Sequence, residues 1–128
     1  VDANPQPLFA YVVQQLAPLD LAYLHVIEGS TGGPRDIAER PFDYAALRQA
    51  WRDAGGTGAW MVNNGYDGAL ADQVLAEGAD LVSFGRAFIA NPDLVARLRQ
   101  GGPFNKPERA TFYGGAEKGY TDYPALQA

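Results

Sequence analysis

The 128-residue sequence has no cysteine and a single histidine, His25. Without thiols there are no disulfides, no thiolate zinc centres and no cysteine-ligated iron–sulfur clusters. A Ser-His-Asp triad would have only one base to draw on. Positive charge is scarce as well: ten Lys and Arg against fifteen Asp and Glu leave a net charge of −5. That balance disfavours a nucleic-acid binder held by phosphate attraction. No apolar run approaches the ~20 residues of a membrane span, and no basic-then-apolar leader opens the sequence. The expectation is a cytoplasmic protein with neither nucleic acid nor membrane as partner. The first residue is Val1 rather than Met, as in a processed, tagged or excised piece.

What is present alternates helix and strand patterns. Asn4-Pro5 reads as an N-cap followed by a proline at the first helical position. Phe9, Val12, Val13 and Leu16 then recur at helical spacing until Pro18. Leu21 to Ile27 is a continuous apolar run, consistent with a buried strand. Asp43 caps a helix with Leu47, Ala50, Trp51 and Ala54 on its inner face, and Gly55-Gly56 end it. Ala59–Val62 is the next strand. Asp67 caps a helix with the stripe Leu70, Ala71, Val74 and Leu75, closed by Gly78. Leu81–Phe84 is the third strand, and a short helical turn is expected over Ala87–Ala90. Asn91-Pro92 repeats the cap-plus-proline signal before a last helix through Leu94, Val95 and Leu98 to Gly101.

Strands separated by helices need parallel crossovers. Three such strands alone would leave two unprotected edges on an open sheet, and a closed (β/α)8 barrel needs ~250 residues. The sequence therefore predicts an α/β fold forming part of a (β/α)8 TIM barrel over residues 1–101. A tail over 102–128 is expected to pack on a surface, because Phe112, Tyr113, Tyr120 and Tyr123 are costly to leave in water.

Chemistry concentrates where strands end. Asn63-Asn64-Gly65-Tyr66 and Ser83-Phe84-Gly85-Arg86 each put a glycine where the backbone leaves a strand for a helix. Glycine frees backbone N–H groups to approach an anion, and Arg86 adds a guanidinium fork suited to phosphate. In (β/α)8 enzymes the phosphate site is frequently built by the loops after the last two strands.

Four stretches then carry a resemblance: Leu21-Ala-Tyr-Leu-His-Val-Ile-Glu28; Trp60-Met-Val-Asn-Asn-Gly-Tyr-Asp67; Ala79-Asp-Leu-Val-Ser-Phe-Gly-Arg-Ala-Phe-Ile-Ala-Asn-Pro-Asp-Leu94; and Ala110-Thr-Phe-Tyr-Gly-Gly115 with Gly119-Tyr-Thr-Asp-Tyr-Pro124. Together they resemble the C-terminal part of the Old Yellow Enzyme family, the FMN-dependent ene-reductases that include N-ethylmaleimide reductase. The resemblance implies roughly strands six to eight of the barrel, completed by a complementary N-terminal fragment in a split or truncated protein. It implies FMN as cofactor, with the phosphate on Asn64, Gly65, Gly85 and Arg86. It also implies NADPH or NADH as reductant and an activated alkene (enone, maleimide or nitroalkene) as small-molecule substrate. The tail would lie over the active-site mouth, with Tyr113 and, less directly, Phe112 touching flavin or substrate. In that family the substrate-anchoring His-His or His-Asn pair and the proton-donating Tyr come from the first five strands. The chain is therefore expected to hold no catalytic residue and no metal, and to be inactive alone. A homo-oligomer is compatible with this reading.

The remaining polar residues take plainer readings. His25, inside an apolar strand, reads as a satisfied core histidine. Glu28 reads as a carboxylate bonding loop amides, and Asp80 as a stabilising residue on the opposite rim. Trp51 and Trp60 read as core, and Arg35, Asp36, Glu39 and Arg40 as a solvated loop. Two rival functions stay open: a non-catalytic structural or assembly half-barrel, and a fragment of another phosphate-binding barrel.

Overall fold

The computed structural model of the chain describes residues 3–30, 33, 34, 37, 41–114 and 116–127. The expected solvated loop of Arg35, Asp36, Glu39 and Arg40 lies outside them. Five helices are described, α1 (Pro5–Leu16), α2 (Tyr44–Asp53), α3 (Gly68–Ala76), α4 (Arg86–Ala90) and α5 (Leu94–Gln100), with three strands, β1 (Tyr23–Ile27), β2 (Ala59–Asn63) and β3 (Leu81–Ser83). The chain divides into two compact units, Val1–Ser83 and Phe84–Ala128.

The first unit holds a parallel sheet in the order β1-β2-β3. Tyr23 pairs with Ala59 and Ile27 with Asn63, while Met61 pairs with Leu81 and Asn63 with Ser83. All three strands therefore end on the same rim. Asp43 and Asp67 cap α2 and α3 as the sequence predicts, accepting from the backbone N–H of Ala46 at 2.8 Å and of Leu70 at 2.9 Å. Asn4 occupies the N-cap of α1 but makes no capping bond there.

One side of the sheet is buried. Trp60, Val62, Trp51 and Leu47 form the core with Val13, Ala17 and Ala79, and Leu24, Val26 and Val82 pack against it. Burying an indole ring is worth about 4–6 kcal/mol by area, so Trp51 and Trp60 dominate this core. The chain is shaped around them. A Cβ on Gly56 would sit 2.2 Å from the Trp51 ring, and one on Gly58 only 2.1 Å from the Leu21 carbonyl oxygen. Asp80 serves this unit from the far end of β3, as expected, accepting from the Trp60 N–H at 2.7 Å and from Arg52 at 2.8 Å.

The other side departs from expectation. The apolar run of β1 reads as buried on both faces, but Tyr23 is 52% and Ile27 49% exposed, as is Leu81 at 42%. His25 is exposed as well, so the core-histidine reading is corrected. The strand's alternation sends Leu24 and Val26 toward the helices, while residues 23, 25 and 27 take the opposite side. That side is not covered by the described residues.

The second unit is organised by polar groups. Arg97, only 3% exposed, bonds Asp93 at 2.6 Å, the Pro124 carbonyl at 2.7 Å and the Pro103 carbonyl. The other Asp93 oxygen accepts from the Leu126 N–H at 2.6 Å. These two bonds hold the Asp93 carboxyl below the ordinary carboxylate value, the arginine contact contributing most. The sequence predicts Asn91 as the cap of the last helix, and the structure corrects this. Asp93 takes the N-cap position, and Asn91 is buried with its side chain bonding the Ala87 carbonyl and the Asn105 N–H. The tail is bonded to α4 and α5 at Pro103, Asn105, Pro124 and Leu126, while Tyr113 and Tyr120, expected to be covered, are 92% and 72% exposed.

Candidate functional site

The rim where the strands end carries the candidate site residues of the first unit. At the exit of β2 the backbone turns through positive φ at two successive residues, Asn64 at 96° and Gly65 at 72°. Glycine adopts this freely, and asparagine is among the few other residues that tolerate it. The Asn64 side chain is engaged in fixing the turn. Its amide donates to the Glu28 carbonyl at 2.6 Å and the Ser30 carbonyl at 3.2 Å, tying the exit of β2 to the exit of β1. A ligand at this exit would therefore meet backbone.

Beside it, Glu28 is 4% exposed and its carboxylate accepts from the Tyr66 hydroxyl at 2.6 Å. The expected bonds from loop amides fall in part on residues 31, 32, 35 and 36, which lie outside the described ones. The Gly29 N–H goes instead to the Tyr44 hydroxyl. On the open side of the sheet, Asn63 donates to Ser83 Oγ, and His25 Nε2 lies 3.0 Å from the same hydroxyl. One polar chain thus crosses all three strands, which gives His25 a partner without burial. Sequence reasoning missed the Tyr66, Tyr44 and Ser83 roles. The only local signal was the position of Tyr66 directly after the Asn-Gly turn.

In the second unit, Gly85 occupies the N-cap of α4 with φ −88°, a value open to any residue. Nothing lies within 4 Å of the point where its Cβ would be. Neither backbone conformation nor crowding thus requires glycine there, and its bare backbone leaves an approach for a ligand. Arg86 is exposed, and its guanidinium has no hydrogen-bond or ion-pair partner among the described residues. By contrast, Arg48, Arg52 and Arg97 all hold backbone carbonyls or carboxylates. Tyr113 is 92% exposed, with its ring edge-on to Phe112 at 6.4 Å between centroids.

A guanidinium like that of Arg86 suits an anionic ligand such as a phosphate monoester. No cluster of three or more metal-ligating side chains occurs among the described residues. No helix there is long and apolar enough to cross a membrane.

Comparison with known proteins gives this site a context. Residues 8–105 match the model of the NADH:flavin oxidoreductase / NADH oxidase family. A 12-oxophytodienoate reductase-like protein of Solanum lycopersicum is 38% identical over 98% of this chain and 33% of its own length. Among solved structures, morphinone reductase in complex with tetrahydroNAD superposes with a TM-score of 0.80 at 39% identity, over 99% of this chain and 32% of its own. The old yellow enzyme from Trypanosoma cruzi superposes with a TM-score of 0.82 at 37% identity, again over 99% and 32%. The chain spans about a third of the length of these relatives.

Proposed function

Because the chain belongs to the NADH:flavin oxidoreductase / NADH oxidase family, within the Old Yellow Enzyme proteins, we propose that it is the FMN-phosphate-holding portion of a nicotinamide-dependent ene-reductase. Its three parallel strands are then an arc of the family's (β/α)8 barrel. One observation carries the reading: two neighbouring strands, paired at Asn63 and Ser83, each run directly into a glycine-bearing exit, the second followed by an uncommitted arginine. Asn64 and Gly65 would bind phosphate through backbone N–H groups, Gly85 would leave room for it, and Arg86 would add a charge-assisted fork. The open Cβ direction at Gly85 and a guanidinium without a partner among the described residues both fit such a group. Bound FMN supplies hydride storage between a nicotinamide and an activated alkene.

The same reading accounts for the exposed side of the sheet. Tyr23, His25, Ile27 and Leu81 would face the interior of a barrel closed by a complementary portion carrying the remaining strands, as one polypeptide or two. That portion would contribute the groups that hold and protonate substrate. Tyr113 and Phe112 would line the mouth, Tyr113 offering a hydroxyl and an aromatic face to flavin or substrate. The reductant (NADPH or NADH), the alkene substrate and a cytoplasmic location belong to this proposal. Membership of the family removes the unrelated phosphate-binding barrel as a rival. A catalytically silent half-barrel remains the alternative and predicts no flavin affinity at all.

The test is a fluorescence titration of FMN and riboflavin into the assembled barrel, unmodified and with Arg86→Ala. Losing a charge-assisted fork should weaken FMN about 10–100-fold and leave riboflavin, which lacks the phosphate, unchanged. Equal loss of both flavins, or of neither, contradicts the assignment of Arg86.

A further inference from the structure

We infer that Tyr66, Glu28 and the Asn64 side chain act as positioning residues for the anion-binding turn, giving the protein its preference for a phosphorylated flavin without themselves touching the phosphate. The inference rests on the FMN reading above and adds what sets the turn. Three bonds converge on residues 64–66. The Asn64 amide reaches back to the carbonyls of Glu28 and Ser30, and the Tyr66 hydroxyl reaches the Glu28 carboxylate at 2.6 Å. The Glu28 N–H in turn donates to the Asn63 carbonyl at 3.1 Å. The turn is thus gripped on both sides of Gly65 by a single residue of the neighbouring strand exit.

That grip has work to do. Asn64 sits at φ 96°, a conformation that side-chain-bearing residues adopt only at a cost and that persists where surrounding bonds over-determine it. A backbone N–H is useful to an anion only while it points the same way before and after binding, since reorganisation would otherwise be charged against affinity. Glu28 is buried at 4% exposure, so its bond to Tyr66 is formed away from bulk water, where it is stronger. A carboxylate this close to a phosphate site would repel the ligand if it faced it. Engagement with the Tyr66 hydroxyl directs the acid to structure.

The experiment separates positioning from general stability by using two flavins that differ only in phosphate. FMN and riboflavin are titrated into the assembled barrel carrying Tyr66→Phe or Asn64→Gly. The first keeps the ring and removes one hydroxyl. The second keeps the positive φ accessible while deleting the tether. Each should weaken FMN about tenfold, the effect of one or two hydrogen bonds, with riboflavin affinity held within about twofold and circular dichroism unchanged. If the unmodified protein prefers FMN and both variants keep that preference, or lose both flavins alike, the positioning role is wrong and the FMN reading stands. If the unmodified protein shows no preference for FMN over riboflavin, the FMN-phosphate reading fails and the inference fails with it.

Discussion

In the unit that carries the sheet, the bulk of the buried interior is Trp51, Trp60, Leu47 and Val62; in the C-terminal unit, a buried arginine and a buried asparagine stand beside Leu94 and Ala90. The first is stabilised by removing apolar area from water, which is non-directional and tolerant of small shifts. The second depends on directed bonds from Arg97, Asn91, Asn105 and Asp93, mostly to backbone atoms of a segment with no regular structure. An irregular tail has no ladder of its own to satisfy its carbonyls and N–H groups, so side chains supply the partners. The difference bears on the proposed site, because Tyr113 and Phe112 are carried by that polar-anchored segment and Asn64 and Gly65 by the apolar-cored one.

Breaking the apolar core should have the largest effect. Trp60→Ala removes a side chain at 1% exposure and should cost about 3–5 kcal/mol, seen as a lowered midpoint in denaturant unfolding of the assembled protein. A loss under about 1 kcal/mol would mean that the sheet unit does not rest on this ring. Arg97→Ala is the matching cut in the other unit. It removes one partner from the Asp93 carboxylate and from the Pro124 carbonyl and leaves the Pro103 carbonyl without its arginine, and should cost about 2–3 kcal/mol while exposing the tail to protease. Resistance equal to the unmodified protein would show that the tail is held by its apolar contacts instead.

Acid gives the smallest effect and the sharpest distinction. Asp93 has its folded value lowered from 3.8 by Arg97 and the Leu126 N–H. Its contribution is therefore fully present above about pH 4, the unfolded carboxylate range. It is lost as pH falls through the lower folded value. Protease sensitivity of the tail should stay flat from neutral pH down to that point and then rise. Asp93→Asn should abolish this acid dependence and leave the sheet unit unaffected. A rise beginning well above pH 4 would assign the sensitivity to another group.

Much of the first unit was legible because its signals are local. Asp43 and Asp67 sit where N-caps belong, and Leu47 and Trp51 fall four residues apart on one helical face. The second unit was harder to read because its determinants are distant. Arg97 and Pro124 are 27 residues apart and Asp93 and Leu126 are 33 apart, and no periodicity links a side chain to a remote carbonyl. The same limit explains Asn91, whose cap-like sequence signal was overridden by its bonds to Ala87 and Asn105. His25 was misplaced because the apolar pattern of β1 is that of a strand covered on both sides, while the covering on one side is not among the described residues. At the candidate site, strand-exit chemistry singles out Gly65, Gly85 and Arg86, whose role there belongs to the proposal. Tyr113 came from family resemblance alone, and the bond between Glu28 and Tyr66 from neither.

The central claim, that these strand exits grip the anionic end of FMN, is tested most directly by phosphorus-31 resonance of the flavin bound to the assembled protein across about pH 5 to 8. A phosphate monoester in water loses its second proton near pH ~6. Held by the guanidinium of Arg86 and backbone N–H groups, it should stay dianionic and its resonance should remain flat over that range, with titration restored by Arg86→Ala. A resonance that titrates like free FMN while flavin absorbance shows the cofactor still bound would contradict the account.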